Sequence, residues 1–378
     1  MPSEPARKFV VCLDGTWNEV QSRTNVVRVF ECLAQDDAQS AYYDEGVGVP
    51  KPEDPWLWRL RDQLNGGVFG AGLLDNVMRA WRWLAERYDR SRGDTVALLG
   101  FSRGAYTARV LAGLVVDPGL PGGMLECDAL DKLATAVGDY RASGKPADKR
   151  PAGLAPVDVS FLGVWDTVGS LGVPTWNLWP LTLGIKRLRF IDTLLPDRIL
   201  VARHAIAVDE YRRDYSPVLW TPRPGTPAAM PERDVQQVWF AGAHAQVGGG
   251  YLEDLLSEIP LAWMCREAAA TGIRFRTQPA GQTPTGWIPE RFRLDGREYL
   301  APTIDAWRSF IYGLYRWLSP RNVRQIGTVG INEEVHDSVW LKWANDPDYR
   351  PPNIAHLGRT DVGACPEVTI FPAGGDAS

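Results

Sequence analysis

The sequence is poor in histidine, in clustered cysteine and in long apolar runs, and each shortage removes a class of function. Its five cysteines (Cys12, Cys32, Cys127, Cys265 and Cys365) are widely scattered with no C-x-x-C pair, which argues against both a disulfide framework and a zinc knuckle. No run of 18 apolar residues occurs, so no segment reads as a membrane-spanning helix. No block of Lys and Arg stands out above an acidic background of net charge -5, and a nucleic-acid partner is not expected. Met1 to Lys8 is polar and lacks the apolar core of a secretory leader, so a cytoplasmic protein is expected. Export by a route that reads no leader is compatible with this. Neither an H-x-x-x-H pair nor an acidic cluster supports a metal site, and no metal or other cofactor is expected.

What remains is a globular composition. With 378 residues, 45% apolar and 23% charged, the chain can build one large α/β domain or two ordinary ones. Lys8 to Leu13 (KFVVCL) is a β-branched apolar run ending at Asp14-Gly15, the pattern of a buried parallel strand followed by a turn. Thr95 to Phe101 repeats the pattern, and Val157 to Trp165, Arg203 to Val208 and Val235 to Ala241 supply further strands. Between them, Leu73, Leu74, Val77, Met78, Trp81, Leu84, Ala85 and Tyr88 recur at helical spacing, and that helix is expected to end near Gly93. A second helix follows Ser102 and runs through Leu114. Tyr42 to Pro55, rich in Gly and Pro, reads as loop.

Strands alternating with helices imply an α/β fold, a mostly parallel sheet flanked by helices on both faces. Residues 1–345 are expected to form one domain, with residues 171–200, 215–234 and 275–325 as lid or cap insertions and an irregular tail over 346–378.

Gly100-Phe101-Ser102-Arg103-Gly104 fits G-x-S-x-G, a nucleophile elbow. A serine hydroxyl can attack a carbonyl only when a tight strand-to-helix turn presents it, and glycine on either side removes Cβ clashes there. The match lies after an apolar strand and before a helical pattern, which is the context the motif requires. The bland alternative is a tight turn with a capping serine.

A serine nucleophile needs a base, and four histidines are available: His204, His244, His336 and His356. His244 follows a strand and precedes Gly248-Gly249-Gly250, at the sheet end where α/β enzymes keep their sites, so it is favoured. His204 lies inside an apolar run and reads as structural, His336 is the runner-up, and His356 falls in the Pro-rich tail. Asp166 directly follows Leu162-Gly163-Val164-Trp165 and is the candidate to orient the base, with Asp192 or Asp209 as substitutes. Ser102, Asp166 and His244 occur in the chain order Ser, Asp, His of α/β hydrolases. An oxyanion hole would take the N–H of Arg103 and that of Gly15 or Thr16, from the turn after the first strand. Asp14 reads as an anchor of that turn.

Sixteen tryptophans are present. Trp81 and Trp83 fall on a helix and read as core. Trp176 and Trp179 lie in the apolar, Pro-broken segment Leu171 to Ile185, suited to a lid or an acyl-chain wall because an indole has an apolar body and one N–H donor. Trp17, beside the oxyanion turn, is a further candidate for substrate contact.

Taken together, Leu13-Asp14-Gly15-Thr16-Trp17-Asn18, Tyr43-Asp44-Glu45-Gly46-Val47-Gly48, Gly100 to Arg109, Val164-Trp165-Asp166-Thr167-Val168-Gly169, Arg203 to Glu210 and Trp239 to His244 resemble, in the same order, a family of uncharacterised α/β hydrolases that includes lipase effectors of bacterial type VI secretion. The resemblance implies an α/β-hydrolase fold, Ser102 as nucleophile with Asp166 and His244 as partners, and ester hydrolysis with phospholipids as the best-known substrates. One departure falls beside the base. The family pattern H-x-D-V-G-G-G-Y reads His244-Ala245-Gln246-Val247-Gly248-Gly249-Gly250-Tyr251 here, so Gln246 keeps a hydrogen-bonding group and loses the charge.

The expected activity is that of a serine hydrolase of carboxylic esters, lipid or phospholipid-like, working through an acyl-enzyme. The expected partners are a small ester or lipid and, through the tryptophans, a membrane surface. Two further readings stand beside it: a catalytically impaired, hydrolase-like binding module, and a membrane-directed toxin or defence effector.

Overall fold

A computed structural model describes residues 5–15, 23–46, 66–123, 125–144, 150–169, 194–222, 233–251, 254–276, 294–309 and 315–357. Seven strands, β1 (Lys8–Leu13), β2 (Gln39–Asp44), β3 (Thr95–Phe101), β4 (Val159–Trp165), β5 (Val201–Ala207), β6 (Asp234–Phe240) and β7 (Glu333–Val335), form one sheet. Every pairing is parallel and the order is β2-β1-β3-β4-β5-β6-β7. The chain first steps outward from β1 to β2, then returns to lay β3 on the other side of β1. The crevice at the carboxyl ends of β1 and β3 is therefore the topological switch point, where open α/β sheets place their sites.

Alternation along each strand sends successive side chains to opposite faces. Phe9, Val11 and Leu13 of β1 and Val96 and Leu98 of β3 join one core cluster with α2 (Gly66–Ala85) and α3 (Arg103–Val116). Val10, Cys12, Ala97, Leu99 and Phe101 join the other with α1 (Asn25–Cys32) and α6 (Glu258–Ala270). Because both faces are covered, β1, β3 and β4 are nearly all apolar rather than half polar. Burying each such side chain contributes about 1.5–3 kcal/mol relative to leaving it in water, which fixes the register of the central strands.

The central strands lie where the sequence predicts them, within two residues. The two outer ones do not. Tyr42, expected in a loop, lies in β2, whose side chains are mostly half-buried: Tyr42 packs on Trp83 with ring centroids 5.4 Å apart, and Tyr43 stacks on Phe30 at 5.2 Å. An edge strand with an aromatic on each face carries no apolar run to announce it. The long helix α2 ends at Ala85 rather than near Gly93. Gly93, with φ 75°, instead closes a short 3-10 turn over Arg90–Arg92.

Residues expected to form insertions and tail also meet the core. Leu219 and Trp220 are buried, and Leu219, Tyr349 and Ile354 join a third cluster with Ile206 and Trp239. Among the described residues, no helix is long and apolar enough to cross a membrane.

Candidate active site

The register of the sheet brings the candidate residues together. Leu13 pairs with Gly100, Phe101 with Trp165, Trp165 with Ala205, and Ala207 with Phe240. The residues that follow each strand, Asp14, Ser102, Asp166, Val208 and Ala241, leave the same edge of the sheet.

Ser102 stands between β3 and α3 with φ 57° and ψ -120°, a conformation L-residues avoid and one held only by surrounding structure. Its N–H donates to the Trp165 carbonyl at 3.0 Å. The flanking glycines are there for room. A Cβ on Gly100 would stand 2.6 Å from the Gly104 carbonyl oxygen, and one on Gly104 would run into the carbonyls of Leu13 and Asp14. The turn can be this tight only because α3 begins against the end of β1.

Ser102 Oγ lies 2.9 Å from Nε2 of His244. His244 opens the one-turn helix α5 (His244–Gly248), and its Nδ1 lies 2.5 Å from Oδ2 of Asp166. Since an ionised carboxylate only accepts hydrogen bonds, Nδ1 carries the proton and Nε2 accepts from the serine hydroxyl. The ring is flanked by Phe101, centroids 4.7 Å apart, and by Tyr215 at 5.0 Å. Burial lowers the basicity of His244, against the opposing pull of Asp166 and Glu210.

Asp166 is fully buried and also has a positive φ, 37°. Its Oδ1 accepts from the Ala207 N–H at 3.0 Å. A residue that the sequence did not point to holds the rest. Arg324, itself 3% exposed, donates from Nη1 to Oδ1 at 2.6 Å and from Nη2 to Oδ2 at 2.9 Å. The same two nitrogens bond the carbonyls of Ala207 at 2.8 Å and Tyr215 at 2.5 Å. Burial opposes ionisation of Asp166, but the Arg324 charge and then the His244 contact outweigh it, holding the carboxyl well below the usual range. Arg324 falls in a segment expected to be lid or cap, and Ser319-Pro320-Arg321-Asn322-Val323-Arg324 carries no motif that singles it out. The only signal for it is the need of a buried carboxylate for a cation.

Glu210 and Arg212 were likewise not singled out as site residues. Glu210 Oε1 accepts from Arg212 Nε at 2.8 Å, Oε2 from Arg212 Nη2 at 2.7 Å, and Oε2 also from the His244 backbone N–H at 3.3 Å. Arg212 lies 3.6 Å from the centroid of the Tyr215 ring, so this pair is tied both to the backbone of the histidine and to one of its flanking rings. Asp209, a substitute acid in the sequence reading, faces no imidazole: it accepts from the Gly242 N–H at 2.7 Å and from the Tyr349 hydroxyl at 3.0 Å. Its carboxyl is pushed up by burial.

Gln246 uses both ends of its amide. Oε1 accepts from Ala243 N–H at 3.2 Å and Ile304 N–H at 2.7 Å, while Nε2 donates to Asp254 Oδ1 at 3.2 Å and the Pro302 carbonyl at 3.0 Å. It braces the helix under His244 against residues 302–304, and none of these bonds involves the imidazole.

The other histidines are placed elsewhere. His204 is buried, its Nε2 accepting from Thr167 N–H at 3.1 Å and its Nδ1 facing Gln237 Oε1 at 3.3 Å. Burial and the Arg109 charge lower it to about 3, so it is a neutral structural residue. His336 caps α7 (Asp337–Asn345), with Nδ1 accepting from Ser338 N–H at 3.2 Å, and stacks on Phe240. His356 is exposed.

Asp14 is an anchor. Its Oδ1 accepts from Gly15 N–H at 2.7 Å, and its Oδ2 from the hydroxyls of Tyr43, at 2.9 Å, and Thr24. The Gly15 amide, a candidate oxyanion donor, is thus directed at Asp14. Arg103 is the first residue of α3, where a backbone N–H points out of the helix end. Thr16, Trp17, Trp176, Trp179 and Asp192 lie outside the described residues. Trp81 is fully buried and Trp83 packs edge-on against Phe9, as core residues do. No group of three or more His, Cys, Asp or Glu able to hold a metal occurs among the described residues.

The parallel sheet flanked by helices, with Ser102 after its third strand, Asp166 after the fourth and His244 after the sixth, has the architecture of an α/β-hydrolase-like fold. Residues 7–267 match the catalytic domain of the Tle1-like phospholipase effectors of type VI secretion, and the chain belongs to that family. It is 25% identical over 295 residues to uncharacterized protein YEL023C of Saccharomyces cerevisiae, covering 72% of this chain and 41% of that protein. Among solved structures it is similar to an uncharacterized protein from Pseudomonas aeruginosa, with 19% identity, a TM-score of 0.41 and coverage of 71% of this chain and 46% of that one. It is also similar to the Tle1 effector bound to the VgrG spike of the type 6 secretion system, with 18% identity, a TM-score of 0.41 and coverage of 66% and 52%. The chain spans about half or less of the length of these relatives.

Proposed function

We propose that this protein is a serine hydrolase that cleaves carboxylic esters of lipid or phospholipid type through an acyl-enzyme. The observation that carries the reading is the continuous hydrogen-bonded line from Ser102 Oγ through His244 to Asp166, at 2.9 and 2.5 Å. His244, neutral with its proton on Nδ1, takes the hydroxyl proton of Ser102 at Nε2 as Oγ attacks the ester carbonyl. Asp166 holds that tautomer and stabilises the imidazolium. The N–H of Arg103 is the first donor to the oxyanion. A second comes from the turn after β1, at Thr16 or, if it leaves Asp14, at Gly15. His244 then returns its proton to the leaving alcohol, and water activated by the same nitrogen releases the acid.

Membership in a phospholipase-effector family supports a lipid as the alcohol-bearing substrate, and Trp17, Trp176 and Trp179 are the side chains assigned to its acyl chain or to the lipid surface. The test is a screen of short-chain nitrophenyl esters and phospholipid vesicles with the wild type beside Ser102→Ala, together with labelling by a fluorophosphonate probe. Turnover and labelling that vanish in the variant while its fold is kept support the reading. Undiminished turnover in the variant removes Ser102 from the mechanism.

A further inference from the structure

Arg324 is placed where it can do more than hold the chain together. Its side chain and that of Asp166 are both essentially withdrawn from solvent. A buried carboxylate that met only the Ala207 N–H and an imidazole would be undercompensated, and such an uncompensated charge is costly. The guanidinium is planar and presents two parallel donors, which match the two oxygens of a carboxylate and fix its plane. That plane is fixed in turn by the carbonyls of Ala207 and Tyr215. Asp166 is therefore left with one orientation, the one that points Oδ2 at Nδ1 of His244.

The charge balance has a second effect. From the elements packed around it, His244 is faced by Ser102 after β3, Asp166 after β4, and Glu210, Arg212 and Tyr215 after β5. The carboxylate of Glu210 is matched by Arg212, and that of Asp166 by Arg324. A bare aspartate would hold the imidazolium tightly and make the histidine slow to return its proton. An aspartate paired with arginine keeps the geometry and tempers the pull.

We propose that Arg324 is a positioning residue for the reaction, locking the Asp166 carboxylate toward His244 and balancing its charge, so that the relay is completed from beyond the region that matches the family's catalytic domain. This rests on the triad assignment made under the proposed function. Arg324 acts through Asp166 and does not touch the substrate.

The test uses Arg324→Gln, which removes the charge, and Arg324→Lys, which keeps the charge and loses the fork. Two readouts are taken on the whole chain: kcat and KM for a nitrophenyl butyrate across pH, and the His244 titration by NMR of histidine-labelled protein without substrate, assigned through a His244→Gln reference. In Arg324→Gln, kcat falls about 10- to 100-fold with KM within about twofold, as expected when a reacting group is slightly misplaced. The His244 titration rises by about one pH unit, because Asp166 is no longer balanced. Arg324→Lys leaves the titration near the wild-type value and recovers part of kcat. If Arg324→Gln does not fold, Arg324→Lys decides alone: kcat lowered about fivefold or more at unchanged KM upholds the clamp, and wild-type kcat overturns it. The proposal is also overturned if both variants lose kcat equally with the titration unmoved, which is the result of a merely structural strut, or if neither differs from wild type. A wild type that neither turns over esters nor takes the fluorophosphonate, while its titration still moves with Arg324, sinks the hydrolase reading and leaves the clamp standing.

Discussion

The two terminal nitrogens of Arg324 meet the two carboxylate oxygens of Asp166 at 2.6 and 2.9 Å, so the acid of the candidate relay is half of a buried ion pair. Serine hydrolases need the acid to be ionised and still. Here the first condition is met by a neighbouring cation and the second by its fork.

Breaking that pair from the acid side has a distinct signature. Asp166→Asn should lower kcat by about 10⁴-fold through the wrong histidine tautomer and, by stranding the Arg324 charge, should also cost about 3–5 kcal/mol of stability. The double variant Asp166→Asn with Arg324→Gln should regain much of the stability and none of the activity. Urea unfolding beside ester kinetics checks this; a stable, inactive Asp166→Asn would show that the pair contributes little to folding.

Burial lowers the His244 basicity, and the base works only when neutral. Activity on a neutral ester should therefore be flat at neutral pH and fall as pH drops through a value below the ordinary histidine pKa of about 6.5. A pH profile of kcat/KM for the wild type reads this directly, and an acid limb centred above that value contradicts it.

His204 supplies a stability counterpart. Its folded pKa, about 3, lies below the unfolded value, so the unfolded chain binds the extra proton first. Stability is full above pH 6.5 and falls as pH drops toward 3, by up to about 1.4 kcal/mol per pH unit for this one group. His204→Gln, which keeps an acceptor for the Thr167 N–H, should flatten the dependence of the urea midpoint between pH 6.5 and 5. His244 and His336 are shifted the same way and should leave part of the slope in place.

A methyl group at the elbow tests the room left by Gly104. Gly104→Ala places a Cβ against the carbonyls of Leu13 and Asp14, so α3 must move and Ser102 with it. The expected cost is about 1–3 kcal/mol of stability and about 100-fold in kcat. Thermal melting and ester turnover measured on one preparation give both numbers, and unchanged turnover would mean that the turn tolerates the shift.

Gln246→Asp restores the side chain of the family pattern and should be harmful here. The Asp254 carboxyl is already raised to about 6 by burial, and a second carboxylate would replace the amide that donates to it. Stability should fall by about 1–3 kcal/mol, more at pH 8 than at pH 5, where one carboxyl can stay protonated. Ester turnover should persist at pH 7, because none of the four Gln246 bonds reaches the imidazole. Melting curves at the two pH values decide the point.

That Ser102, Asp166 and His244 leave one edge of the sheet was legible because each follows a strand with a buried apolar end, and such strands stand out in sequence. The parallel sheet itself was legible for the same reason. β2 and β7 were not, since edge strands bury one flank and keep polar residues. Arg324 was invisible because its partner lies 158 residues away and nothing local marks an arginine that is buried by tertiary contact. The Gly15 amide shows the reverse limit: its place in the turn was readable, but its direction depends on the Asp14 rotamer.

Strand β7 pairs with Gln237, Val238 and Trp239 of β6, and beside it the Ile331 carbonyl accepts from the buried Gln237 side chain at 2.8 Å. A fragment cut at residue 267, where the family match stops, would turn β6 into an open rim bearing Val238 and Trp239. Bare rims of this kind recruit other chains. Such a shortened product should clump in solution, and its lack of turnover would say more about stickiness than about chemistry.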